Sequence, residues 1–177
     1  GVDGKPSSET VVGEGLQECF KQGKKREDVF ITTKMWNKNF HDPEAALAES
    51  LKKLQLEYVD LFLIHIPNGF DCEPKIPVHV LWPKMEALVD KGMTKSIGVS
   101  NFNGQMVRDL LCYARHKPVV NQIELNPQCC QVNLVDFLKD VNVVPVAYTP
   151  IARPAANERG DKLAPANWPD LRENPVL

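Results

Sequence analysis

The stretch Leu61-Phe62-Leu63-Ile64-His65-Ile66-Pro67 decides the fold of this chain. Four apolar residues run straight into a histidine, and a proline stops the run two positions later. An unbroken apolar run of this length suits a strand buried on both faces, as in a parallel sheet covered by helices. His65 then stands where the strand emerges, at its C-terminal end, the edge at which α/β proteins bind ligands and do chemistry. Taken alone, the histidine reads better as a strand cap or a hydrogen-bonded loop residue. Its significance depends on what other strands deliver to the same edge.

Upstream, residues 8–22 have Val11, Val12, Leu16 and Phe20 at helical spacing, with Ser8 as the expected N-cap and Gly23 as the stop. Residues 29–33 form a β-branched strand that delivers Lys34. A loop holding Trp36, Asn37 and Phe40 leads to Asp42-Pro43, an N-cap followed by proline at the first helical position. Leu47, Leu51 and Leu54 then line one helical face that ends near Gln55. Downstream, residues 68–77 read as a proline-rich surface loop. Helical faces follow at Trp82, Met85, Leu88 and Val89, at Met106, Leu110, Leu111 and Ala114, and at Leu134, Val135 and Leu138. Between and after them lie strands at 96–99, ending in Ser100-Asn101, at 119–125, and at 143–147, ending in Tyr148-Thr149-Pro150. Residues 151–177 read as a long loop.

Five strands alternating with helices indicate parallel βα units. No Gly-x-Gly-x-x-Gly turn follows a strand, which counts against a Rossmann domain. The expected class is α/β, a partial (β/α)8 TIM barrel in a single domain over 1–177. A whole barrel needs eight strands and about 250 residues, so the open sheet edges call for self-association or a covering partner.

The totals agree with an ordinary globular protein: 177 residues, 43% hydrophobic, 25% charged, net charge −2. That charge makes no case for nucleic acid or an anionic membrane, and no apolar run approaches the roughly 20 residues that span a bilayer. The five cysteines, Cys19, Cys72, Cys112, Cys129 and Cys130, are odd in number and form no C-x-x-C pair. Reduced thiols, a cytoplasmic location and no metal are expected.

At the shared edge the strands present Lys34, His65, Ser100 with Asn101, Gln122 and Tyr148. Each alone is weak, and five converging on one face is a stronger signal. The amides and hydroxyls suit a carboxamide ring, and Tyr148 offers a flat face to stack it on. A lysine ammonium beside a histidine suits proton transfer and polarisation of a carbonyl.

Six ordered segments carry a resemblance: Val12-Gly13-Glu14-Gly15-Leu16, the run from Arg26 to Trp36, Leu63-Ile64-His65-Ile66-Pro67, Ile97-Gly98-Val99-Ser100-Asn101-Phe102, the run from Val120 to Pro127, and Ala147-Tyr148-Thr149-Pro150. Together they resemble the aldo-keto reductase family, whose fold is a (β/α)8 barrel and whose members reduce aldehydes and ketones with NADPH. The resemblance implies that the five units are barrel strands 3 to 7. It implies Lys34 as the lysine that tunes the catalytic tyrosine and His65 as the histidine that orients the carbonyl. Ser100, Asn101 and Gln122 become ligands of the nicotinamide carboxamide, Tyr148 the ring stacked on it, Thr149 a cofactor contact, and Trp36 a wall of the substrate pocket. The partner implied is a small carbonyl substrate.

The family's general-acid tyrosine precedes an Asn-Glu pair, where this chain has Ser8-Glu9, and Pro6 stands where the tyrosine falls. The segment holding the adenosine 2′-phosphate has no counterpart here. Ile66 replaces a common tryptophan, and Ala152-Arg153 replaces a common Gly-Ser. The expectation is a central piece of the family domain that, as given, lacks carbonyl reductase activity. Two other readings stay open: a non-catalytic binding or assembly module, and a Schiff-base enzyme using Lys34 as nucleophile.

Overall fold

The computed structural model describes residues 7–67 and 75–152. In chain order the elements are α1 (Ser8–Lys21), β1 (Thr32–Met35), α2 (Pro43–Leu54), β2 (Val59–Ile64), α3 (Val78–Asp90), β3 (Thr94–Ser100), α4 (Gly104–Tyr113), β4 (Val120–Glu124), α5 (Val132–Asp140) and β5 (Val144–Tyr148). The strands form one parallel sheet in sequence order, β1-β2-β3-β4-β5. Each helix returns the chain so that the next strand pairs with the previous one, the repeated βα unit expected from the alternation.

Every residue of β2 is buried. Phe62 and Ile64 join the main core with Trp82, Met85, Leu88 and Leu47, while Leu61 and Leu63 meet Val120 and Val146 in a second cluster. The alternation of a strand sends successive side chains to opposite faces, so the unbroken apolar run is what two covered faces require. Burial of each such side chain is worth about 1.5–3 kcal/mol, which makes β2 the anchor of the sheet. Gly98 of β3 permits a close approach beside it. A Cβ there would stand 2.7 Å from the Val120 carbonyl oxygen and 2.8 Å from a Leu63 methyl.

Three local expectations change. The N-cap of α1 is Ser7, whose side chain accepts from the Thr10 N–H; Ser8 is already helical. Val11 and Val12 are exposed, and α1 turns Gly13 and Leu16 inward, because a Cβ on Gly13 would collide with the α2 backbone at Lys53 and Leu54. The first strand begins at Thr32 and includes Lys34. Ahead of it Phe30 is 69% exposed. The Ile31 N–H donates to the Asp60 side chain at 2.9 Å in place of a neighbouring strand. Tertiary pairing here outweighs the β propensity of residues 29–31.

Asp60, one residue into the apolar strand, is 4% exposed. It sits at the N-terminal end of the sheet between Arg26 at 2.7 Å and Lys95 at 2.9 Å. Arg26 also donates to the Val29 and Tyr58 carbonyls and lies over the Tyr58 ring. Part of the proline-rich loop, 68–74, and residues 153–177 of the expected terminal loop lie outside the described residues, as does Cys72. Among the described residues Cys19, Cys112, Cys129 and Cys130 are free thiols, and no helix is long and apolar enough to cross a membrane.

Candidate active site

The sheet register brings the candidate residues to one edge. Lys34 pairs with Leu63 and Met35 with Ile64; Ile64 pairs with Val99, and Ser100 with Gln122. Lys34, Trp36 and His65 line one groove of about 660 Å³, with Glu9, Thr33 and Lys53 on its wall. Burial pushes the Lys34 ammonium below the usual lysine range, since a charge loses solvation there. Among the described residues no carboxylate salt-bridges Lys34. Burial also lowers the His65 imidazole, and the Lys34 charge adds to the effect. Burial thus disfavours the charged form of both groups. The Trp36 ring stands edge-on to His65, centroids 4.8 Å apart at 82°.

A second set is linked by hydrogen bonds. The Ser100 hydroxyl, fully buried, donates to the Gln122 carbonyl at 2.7 Å. The Asn101 N–H donates to the same carbonyl at 3.0 Å. Asn101 adopts φ 62°, the left-handed region that asparagine tolerates better than most residues. This turn swings its side chain back across the strand ends. Asn101 Nδ2 donates to the His65 carbonyl at 2.9 Å and to Ser100 Oγ at 3.1 Å, and Asn101 Oδ1 accepts from the Tyr148 hydroxyl at 2.7 Å. Asn101 therefore ties the end of β2 to the end of β5. The Gln122 side-chain amide is half-buried and makes no hydrogen bond among the described residues, so its two N–H donors and its carbonyl oxygen remain for a ligand. Thr149, at φ 49°, turns its hydroxyl to Glu124 at 3.3 Å and away from the Asn101 junction. Ala152 is buried, and Arg153 lies outside the described residues.

Sequence reasoning passed over two residues. Asn121 is fully buried in β4 and pairs its amide with the Phe102 backbone in both directions, 2.8 and 3.3 Å. Glu124 accepts from Thr149 and borders a smaller cavity of about 180 Å³ with Asn101, Gln131 and Tyr148. The available signal for Asn121 was a polar residue at a helix-facing position of a buried strand, where burial demands partners.

The donor set fits a nicotinamide ring. A carboxamide needs one donor and one acceptor side by side, which the Gln122 amide offers, and Tyr148 supplies a partly exposed aromatic ring at the same edge. Comparison with known proteins identifies the family. The family model described as "Aldo/keto reductase family" matches residues 4–175. Aldo-keto reductase family 1 member A1-A of Danio rerio is 41% identical over 166 residues, covering 84% of this chain and 51% of that protein. The NAD(P)H-dependent D-xylose reductase I,II of Candida tropicalis is 37% identical over 194 residues, covering 96% of this chain and 59% of that protein. Among solved structures, a Bombyx mori aldo-keto reductase in complex with NADP superposes with a TM-score of 0.81 at 38% identity, covering 89% of this chain and 52% of that one. The chain spans about half the length of the relatives it matches, and its five-stranded parallel sheet is part of their (β/α)8 barrel. This chain belongs to the aldo/keto reductase family.

Proposed function

We propose that the chain carries the nicotinamide-facing and carbonyl-facing edge of an NADPH-dependent reductase of aldehydes and ketones. The observation that carries this reading is the Asn101 junction, which joins the His65 carbonyl to the Tyr148 hydroxyl and to the backbone carbonyl of Gln122, whose side-chain amide stands at the same edge. When bound there, the cofactor supplies a hydride. Gln122 pairs with its carboxamide, and Asn101 joins that contact by releasing one of its present partners. The Tyr148 ring stacks on the nicotinamide face. His65, held by Trp36, hydrogen-bonds the substrate oxygen, and the Lys34 charge stabilises negative charge growing there. Trp36, 40% exposed, walls the substrate side. Thr149 belongs to the cofactor side of the site through the strand end it shares with Tyr148. The free cysteines fit a reducing, cytoplasmic setting.

Carbonyl reduction also needs a proton. No tyrosine lines the groove that holds Lys34 and His65, and the chain's three tyrosines are placed elsewhere. Tyr58 packs under Arg26 and Lys95, Tyr113 is pushed up to about 12 by burial and Asp109, and Tyr148 is tied to Asn101. The chain by itself is therefore expected to bind NADPH and not to turn over an aldehyde. Titration of NADPH fluorescence against the purified chain tests the first part, and absence of binding overturns the reading. Steady reduction of nitrobenzaldehyde overturns the second.

One observation favours a second reading, a binding or assembly module. Among the described residues β1 and β5 each pair on one side only, with Phe30 ahead of β1 and Val144 in β5 exposed. Sedimentation of a stable oligomer that binds no NADPH supports that alternative.

A further inference from the structure

We propose that Asn121 is a positioning residue of this site, acting through the turn that carries Asn101. The inference rests on the reading of this edge as a nicotinamide and carbonyl site. Asn121 lies on β4 one residue before Gln122, with its side chain on the opposite, helix-covered face. It is 0% exposed, beside Phe102 at 1%. A carboxamide buried this deeply is costly unless both of its groups are paired. Both are paired with a single residue: Asn121 Nδ2 donates to the Phe102 carbonyl at 2.8 Å, and Asn121 Oδ1 accepts from the Phe102 N–H at 3.3 Å.

That pairing continues the sheet where the backbone ladder stops. The β3–β4 register ends at Ser100 with Gln122, and the chain then turns at Asn101 with φ 62°. On one flank of the turn the Asn101 N–H holds the Gln122 carbonyl. On the other flank Asn121 imitates the next rung by taking both backbone groups of Phe102. Asparagine tolerates the left-handed region, and these two consecutive residues of β4 hold the turn in it from both flanks. The Asn101 amide consequently points to the His65 carbonyl and the Tyr148 hydroxyl. Asn121 touches neither ligand nor reacting atoms; it sets the direction of the residue that does.

The test uses the full chain with Asn121→Ala and, as a milder change, Asn121→Asp, which keeps the acceptor for the Phe102 N–H and removes the donor. Nuclear magnetic resonance reads the Asn101 side-chain amide protons and the His65 ring nitrogens. Leu88→Ala, in the core near the C-terminal end of α3 at the opposite end of the sheet, serves as a control for lost stability. The expected result is faster solvent exchange of the Asn101 amide by about tenfold or more and a displaced His65 titration in both Asn121 variants, with neither change in Leu88→Ala. Unchanged Asn101 and His65 signals in Asn121→Asp overturn the proposal and leave Asn121 a purely structural residue, whether or not Asn121→Ala folds. A second readout compares NADPH binding by Asn121→Asp with that by Leu88→Ala. Asn121→Asp is expected to weaken it by about tenfold and Leu88→Ala to leave it as in the parent; binding unchanged in Asn121→Asp, or weakened equally in both, overturns the positioning role. If the parent chain binds no NADPH, the functional reading fails, while the resonance comparison still decides the placement of Asn101.

Discussion

Replacing Asp60 by alanine is expected to cost the chain about 3 kcal/mol of stability, and the loss is expected to shrink in acid. The Asp60 carboxylate is 4% exposed. It accepts from Arg26 Nη2 at 2.7 Å, from the Ile31 N–H at 2.9 Å and from Lys95 at 2.9 Å. Breaking a buried ion pair by removing one partner costs about 3–5 kcal/mol, because the other charge stays buried. The Arg26 side chain is 16% exposed, and its Nε has no hydrogen-bond partner among the described residues. It keeps the Val29 and Tyr58 carbonyls and the Tyr58 ring, which argues for the lower end of that range. The orphaned Ile31 N–H lies within the same figure, since a lost buried partner costs about 1–3 kcal/mol. Lys95 is 57% exposed and regains water, so it is not counted.

Burial alone would raise the Asp60 carboxyl, but the Ile31 N–H, Lys95 and Arg26 outweigh it and hold it below its ordinary value of 3.8. The stabilisation is therefore complete above that value and is lost as pH falls through the lower, folded one. Urea unfolding followed by tryptophan fluorescence between about pH 6 and about pH 2.5 measures the gap between parent and variant. Asp60→Asn, which keeps an acceptor for Ile31 and loses the charge, should fall between the two. A loss under about 1 kcal/mol at neutral pH, the value of an exposed pair, would refute the reasoning. So would a gap that does not narrow in acid.

Two further outcomes follow from the same packing and electrostatics. Gly98→Ala should destabilise the sheet by about 1–3 kcal/mol, because its Cβ meets the Val120 carbonyl at 2.7 Å, and backbone cannot rotate away as a side chain does; a thermal midpoint unchanged from the parent would contradict this. The His65 imidazole titrates below its ordinary 6.5, so the unfolded chain takes up a proton that the folded chain refuses. Stability should fall as pH drops below that value toward the folded one, and His65→Gln should remove that part of the slope between about pH 7 and about pH 5. An identical slope in both proteins would show that His65 is not the group responsible.

Much of the fold was legible because its signals are local. The apolar run through Ile64 suits a strand covered on both faces, and Asp42-Pro43 reads as a helix start, here with Asp42 capping the Ala45 N–H. Strand ends were also readable, which placed Lys34, His65, Ser100, Asn101, Gln122 and Tyr148 at one edge before any coordinates. The errors share a cause. Residues 29–31 have strand propensity, but their outcome depended on Asp60, 29 residues from Ile31 in the chain. Val11 and Val12 match a helical core face, yet Gly13 decided which face α2 could approach.

The sequence by itself determined the class of structure and the list of groups at its working edge, since periodicity and breaker residues act within a few positions of themselves. Only the tertiary structure decided how those groups are connected. The left-handed turn at Asn101, the two hydrogen bonds by which Asn121 pairs with Phe102 and the bridge from His65 to Tyr148 all join residues from different strands. Such contacts exist only once parallel strands have fixed their register. Register is set by the buried faces of the whole sheet, and no single segment encodes it.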